Sequence, residues 1–212
     1  MDGQDAMRGA SAALVSDCLD RLGLAGQVMA GAVAPLDPSM RAVGPAHTLE
    51  ASDVPGAVDD PYAGEVAAVD AIPAGAVVVV STFSGAAIWG ELLATAATAR
   101  GAAGVVSDGP VRDSQPLREM GFATFCRGVN PLDAQGRVSI VRHGREVACA
   151  GVRVGSGDLI VADADGVVAV PRAHLADVAR LVAEKTRGES AVRAALVAGA
   201  SLRSVFDEHR IL

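Results

Sequence analysis

The chain has 212 residues, of which 50% are apolar and 20% charged, with 24 glycines and 10 prolines. That is enough apolar material for one sizeable core, too little chain for several large domains, and too apolar a composition for disorder, so residues 1–212 read as one domain. A net charge of −7 with 3% aromatic residues offers neither the positive field nor the stacking surfaces of a nucleic-acid binder, so no direct nucleic-acid partner is expected.

Taken in chain order, Ser11 is a candidate helix cap. Leu14, Val15, Cys18, Leu19 and Leu22 follow it as an apolar stripe at helical period, and Gly23 is the stop. Short strands are expected at 33–35 and near 46–50, and A-S-D-V-P-G-A-V-D-D-P-Y reads as turns. A short helix is expected over 64–71, then a buried strand at Val77–Val80, which is β-branched throughout and has no alternation. A helix over 86–100 ends at Gly101, and Gly104-Val105-Val106 is a further buried strand. This order predicts a parallel βαβ unit. One hairpin is expected around His143-Gly144-Arg145 and another at Asp165-Gly166. Pro171 opens a helix to about Thr186, a second helix runs from near Glu189 to Gly199, and Ser201 caps a last short one. Parallel and antiparallel strands therefore mix in one α/β domain, with helices at both ends.

Cys18, Cys126 and Cys149 are too few and too scattered for a disulfide scaffold, form no C-x-x-C pair, and read as buried thiols. The first residues carry Asp2, Asp5 and Arg8 without an apolar signal region. The longest apolar run, 74–80, is far short of a membrane span. A cytoplasmic protein with no membrane partner is expected. Of the 18 basic residues only Lys185 is a lysine, so an imine mechanism would have to use it, and its polar surroundings read as an exposed helix face. None of the four histidines, His47, His143, His174 and His209, is expected to act as a base; His47, in a strand, is the only one whose position leaves the question open.

The chemistry concentrates in Trp89-Gly90-Glu91-Leu92-Leu93 and Ser107-Asp108-Gly109-Pro110-Val111-Arg112-Asp113. The first reads as a helix start and the second as the loop after the next parallel strand, which puts both at the sheet edge where ligands bind. Free amides near Gly90 to Leu93 can hold a carboxylate, Arg112 offers a planar fork, and Asp113 and Glu91 are hard oxygen ligands. The same residues have a plainer reading: Glu91 as a helix-dipole partner, Arg112 with Asp113 as a surface ion pair, Asp108-Gly109 as a turn.

Glu91, twenty intervening residues and Arg112-Asp113 resemble the signature of the RraA-like family. S-D-C-L-D-R-L-G, R-A-V-G-P-A-H-T-L and G-D-L-I-V-A-D-A-D-G-V-V-A-V-P resemble its other blocks in the right order, so the resemblance covers nearly the whole chain. The family includes class II 4-hydroxy-4-methyl-2-oxoglutarate aldolases, which also decarboxylate oxaloacetate, and the regulator of ribonuclease activity A. The resemblance implies a β/β/α sandwich of the swivelling-domain type and a homotrimer or hexamer with sites at subunit interfaces. It implies Mg²⁺, Mn²⁺ or another divalent metal on Asp113, with Glu91 supporting it directly or through water. It further implies Arg112 at the substrate keto oxygen, and the amides of Gly90, Leu92 and Leu93 at the carboxylate of a small 2-oxo acid. A neighbouring subunit's glutamate is expected near the metal; Glu189 is the best match and Glu184 the alternative. Two departures stand out. Glu91 replaces a frequent Asp, and the loop V-D-D-P-Y replaces a frequent Asp-Asn pair.

The implied reaction breaks the C–C bond beside a 2-oxo acid and stores the electrons as pyruvate enolate. Aldol cleavage needs a base for the C4 hydroxyl, expected to be a metal-held water, whereas loss of CO₂ from oxaloacetate needs none. The rival class is a non-catalytic regulator that binds a ribonuclease by protein–protein contacts, for which an acidic surface also suits.

Overall fold

The computed structural model describes residues 7–54, 56, 60 and 62–211. Asp2 and Asp5, and Val58, Asp59 and Pro61 of the V-D-D-P-Y loop, lie outside the described residues. Helix α1 (Ala12–Arg21) starts as the sequence predicts: the Ser11 hydroxyl accepts from the Leu14 amide at 3.2 Å. Strands β1 (Ala34–Pro35) and β2 (Ala42–Asp53) follow, then helix α2 (Ala63–Asp70), β3 (Val77–Thr82), α3 (Glu91–Ala99), β4 (Gly104–Val111), α4 (Ser114–Glu119) and β5 (Thr124–Val129). The chain continues through β6 (Val138–His143), β7 (Val147–Cys149), β8 (Val152–Val154), β9 (Leu159–Asp163) and β10 (Gly166–Val170). It ends in α5 (Leu175–Val197) and α6 (Leu202–His209).

The main sheet has the order β1-β5-β4-β3-β2-β9-β10, with β6 paired to β2. Strands β2, β3, β4 and β5 run parallel, which realises the expected βαβ unit, whereas β1, β6 and β9 join antiparallel. The long strand β2 ties the halves together. It pairs with β9 through Ala42–Pro45, with β3 through Ala46–Ala51 and with β6 through Leu49–Asp53. The sheet thereby folds over itself into a mixed, nearly closed sandwich.

The two-residue period of the strands sorts their side chains into separate cores. Val78 and Val80 of β3, with Val105 of β4, face α2, α3 and α4 through Ala68, Val69, Ala94, Ala97 and Leu117. Val77 and Val79 face the other way, onto Val147, Val152, Val154, Ile160 and Ala162. The outer face of β9 and β10, with Leu159, Val161, Val168 and Val170, packs on α1 and α5 through Val15, Leu19, Val178 and Leu181. Val77, Val78, Val79 and Val80 are all 0% exposed, which is why the run shows no alternation. Each buried valine contributes about 1.5–3 kcal/mol. The result is the layered β/β/α architecture with carboxy-terminal helices that the family resemblance implies.

Several expectations are corrected. The helix over 86–100 begins only at Glu91, because Ala86–Gly90 is an extended segment bridged to Asp133 and Val111. Its alanines satisfy a buried strand as well as a helix. Ser107–Val111 is part of β4, not a loop. Asp108 is buried rather than a surface turn residue: its carboxylate accepts the amides of Thr82 at 2.7 Å and Ala150 at 3.0 Å. The turn at His143-Gly144-Arg145 exists, but its flanks do not pair with each other; β6 joins β2 and β7 joins β8. The other hairpin forms with its turn one residue earlier, since Asp163 pairs with Gly166. The two helices expected over 171–199 are one, running through Gly188. Lys185 is not exposed: its side chain is 13% accessible and is ion-paired with Asp17 and Glu189. The three cysteines are buried and unbridged, as read from the sequence.

Candidate active site

The site forms where β4 leaves the sheet and α3 begins. Trp89 bridges to Val111 in parallel, and the Arg112 amide donates to the Trp89 carbonyl at 2.9 Å. This stitches the start of α3 to the exit of β4. On the other side, Ala87 bridges to Asp133 and its amide donates to the Leu132 carbonyl at 2.8 Å, which carries Asp133 to the same place. Glycine at position 90 follows from the crowding. A Cβ there would stand 2.6 Å from Asp113 Oδ2 and 2.8 Å from Arg112 Cγ.

Asp113 sits in the left-handed region, with φ 55° and ψ 42°. A non-glycine residue there costs on the order of 1 kcal/mol and marks a position held by its surroundings. It precedes α4 but makes no cap bond to it. Its carboxylate turns to α3 instead, where Oδ2 accepts from the Glu91 amide at 3.2 Å. Arg112 lies between two acids, with Nε 3.4 Å from Asp113 Oδ1 and Nη1 2.9 Å from Asp133 Oδ1. Both partners are more than a third exposed, so the pairing orients the guanidinium more than it stabilises the fold. The Tyr62 hydroxyl reaches Asp133 Oδ2 at 3.4 Å.

These residues line a cavity of about 550 Å³, with Glu65, Trp89, Gly90, Leu92 and Leu93 also in its wall. Leu92 and Leu93 lie in the first turn of α3, where backbone amides have no acceptor within the helix. The Glu91 side chain turns back along α3 and accepts from Thr95 Oγ1 at 2.9 Å. Glu189 is elsewhere in the chain. It lies on α5, in the layer beyond β9 and β10, 3.8 Å from Lys185. His47 is buried, with Nε2 3.0 Å from the Ala68 carbonyl, and burial pulls its pKa below the ordinary value.

Of the expected residues, the fold brings together Gly90, Glu91, Leu92, Leu93, Arg112 and Asp113. Three polar residues of the cavity wall carry no assignment from the sequence alone: Tyr62, Glu65 and Asp133. Glu65 did leave a signal, because it occupies the buried face of α2 with Ala68 and Val69 at helical spacing, where an acid is out of place. Glu65 is 2% exposed, and burial pushes its carboxyl above the usual range. Asp133 has no local cue, since a non-local bridge delivers it.

The geometry and fold define an α/β protein with a cavity where a strand exit meets a helix start. The chain belongs to the RraA-like family, whose Aldolase/RraA model matches residues 12–169. It is 32% identical over 179 residues to a Halalkalibacterium halodurans protein named "Putative 4-hydroxy-4-methyl-2-oxoglutarate aldolase", covering 84% of this chain and 80% of that one. It is 26% identical over 203 residues to protein DlpA of Legionella pneumophila, covering 94% of this chain but only 32% of DlpA; the chain thus spans about a third of that relative. Among solved structures it is similar to Streptomyces coelicolor RraAS2, described as an unusual member of the RNase ES inhibitor RraA protein family. The TM-score there is 0.81 at 27% identity, over 90% of this chain and 96% of that one.

Proposed function

We propose that this protein is a divalent-metal-dependent carbon–carbon lyase. It releases pyruvate from 4-hydroxy-4-methyl-2-oxoglutarate-type acids by aldol cleavage and from oxaloacetate by decarboxylation. The observation that carries this reading is Arg112, held between Asp113 and Asp133 at the wall of a 550 Å³ cavity beside the first turn of α3. The name of the Halalkalibacterium relative supports the same chemistry.

The donor set fits a hard divalent ion. Among the described residues no cluster of three or more His, Cys, Asp or Glu side chains stands ready for a metal, but Mg²⁺ keeps most of its waters and needs only one or two carboxylates. Asp113 retains unused lone pairs and more than a third of its side chain is exposed, so it would hold the ion. Glu91, turned toward Thr95, would act through water. When bound, the ion would supply Lewis-acid polarisation of the 2-oxo group. The protein's own groups do the rest. The amides at the start of α3 would take the substrate carboxylate, and the Arg112 fork would hold the keto oxygen and the negative charge that grows there as the C–C bond breaks.

Exposed apolar side chains at and beside the cavity, including Leu92 at 77% and Val66 at 56%, suit a subunit interface. We therefore retain a homotrimer or hexamer in which Glu189 of a neighbouring copy completes the site. The direct test is pyruvate release, coupled to lactate dehydrogenase, from both substrates with Mg²⁺ or with EDTA. Metal-dependent pyruvate is the expected result. A folded oligomer that yields none would favour the regulator reading, which draws on the Streptomyces relative, and would send the protein to a ribonuclease pull-down.

A further inference from the structure

Among the described residues two acids are buried, Asp108 and Glu65. The first has both oxygens met by backbone amides. Glu65 is left incomplete. Its Oε2 accepts from Ser139 Oγ at 3.3 Å, while Oε1 has no hydrogen-bond partner among the described residues. Glu65 also lines the cavity that holds Arg112 and Asp133. Its position is enforced by packing. Gly64 lets α2 approach the edge of β6 so closely that a Cβ would collide with the Ile140 carbonyl, and this presses Glu65 inward. A buried acceptor with no partner costs about 1–3 kcal/mol or more, so a carboxylate oxygen kept in that state at a cavity wall points to a ligand that completes it.

We propose that Glu65, in place of the metal-held water expected from the family resemblance, is the proton-transfer group of this cavity, a catalytic residue that takes the proton of the substrate's C4 hydroxyl and returns it to C3 of the pyruvate enolate. The inference rests on the lyase reading above. In the cleavage step the C4 hydroxyl proton moves to Glu65 Oε1, the O–H electrons form the new C4 carbonyl, and the C3–C4 bonding pair becomes the C2–C3 double bond of the enolate as charge moves to the C2 oxygen facing Arg112. In the second step the proton returns from Glu65 to C3, the keto group of pyruvate reforms, and the carboxylate is restored. No other reactant is needed. The groups facing Glu65 are Asp60 from the preceding loop, Ser139 and the Ile140 amide from β6, and Tyr62, Arg112, Asp113 and Asp133 from the cavity wall. Burial and Asp60 favour the protonated acid; Ser139, the Ile140 amide and the amide of Glu65 itself favour the anion. The balance lies above the ordinary carboxyl range, as a group that both accepts and returns a proton requires.

The test compares wild-type protein with Glu65→Gln on both substrates, with Mg²⁺ present. Aldol cleavage is expected to fall at least about 100-fold in kcat. The CO₂-releasing step of oxaloacetate decarboxylation needs no base; read as CO₂ in a single turnover, before the enolate is protonated, it is expected to fall far less than aldol cleavage. Glu65→Asp should recover part of the aldol activity. In the wild type, the pH profile of kcat/KM for aldol cleavage should show an acidic limb that decarboxylation lacks, a measurement that needs no variant to fold. If the wild type makes pyruvate and Glu65→Gln cleaves the aldol substrate equally well, the role of Glu65 is overturned and the lyase reading stands. Equal losses on both substrates, or identical pH profiles for them in the wild type, also overturn it. A wild type that makes no pyruvate from either substrate overturns the lyase reading and this inference together.

Discussion

Asp108 and Glu65 are buried to similar degrees, 5% and 2% exposed, yet the fold treats them in opposite ways. Asp108 lies inside β4 and joins two distant segments, with one oxygen on the Thr82 amide and the other on the Ala150 amide. Backbone amides meet both oxygens, which is what a polar group buried away from water requires. Glu65 has one side-chain bond, a long one from Ser139 to Oε2, while Oε1 has no hydrogen-bond partner among the described residues, and the residue lines a cavity. The first arrangement is a staple, complete within the chain. The second is complete only when something enters. Burial alone therefore does not separate scaffold from chemistry; the count of partners does.

This contrast can be pressed experimentally, beginning with the largest effect. Arg112 stands with Glu65 on the functional side, so Arg112→Ala should cut pyruvate formation by about 100- to 1,000-fold while leaving the melting temperature nearly unchanged. Activity that survives this change would remove Arg112 from the site. Asp108→Asn should do the reverse, costing about 3 kcal/mol because an amide side chain cannot accept from both backbone donors. In a chain of this size that is a drop of about 6–12 °C, read by calorimetry.

Glu65→Gln should have a smaller, pH-dependent effect on stability. The folded chain holds the Glu65 proton more tightly than the unfolded chain, so the native state carries more protons and stability falls as pH rises from the ordinary value of 4.5 through the raised folded value. Glu65→Gln should flatten that part of a stability-against-pH curve, and parallel curves for the two proteins would refute it. The smallest effect is expected from Lys185→Met. It removes the ion pairs to Asp17 and Glu189 at a cost of about 0–1 kcal/mol, and the loss should shrink in high salt.

Much of the scaffold is legible from local chemistry. The Val77–Val80 run, the Ser11 and Ser201 caps and the 159–170 hairpin all follow from residue type and period. The errors share a cause. Ala86–Trp89 is apolar and alanine-rich, and nothing in it distinguishes a buried helix from a buried extended segment; its bridges to Val111 and Asp133 decide. The His143-Gly144-Arg145 turn is a correct local signal with the wrong consequence, because β2 competes for β6 and wins the pairing.

The sequence by itself determined the elements whose stability is local: helix caps, turn residues, strands that are apolar on both faces, and the pairing of a strand end carrying Arg112-Asp113 with a helix start at Gly90-Glu91. Only the tertiary structure decided what stands opposite them. Asp133 reaches Arg112 through a bridge from Ala87, and Glu65 reaches the same cavity because Gly64 seats α2 on β6. It also made Asp108 a staple and Lys185 a largely buried pair partner. The physical reason is the same each time. Caps and periods are set within a few residues of chain, whereas the partners of a buried charge come from segments far apart in sequence and are chosen by how the layers pack.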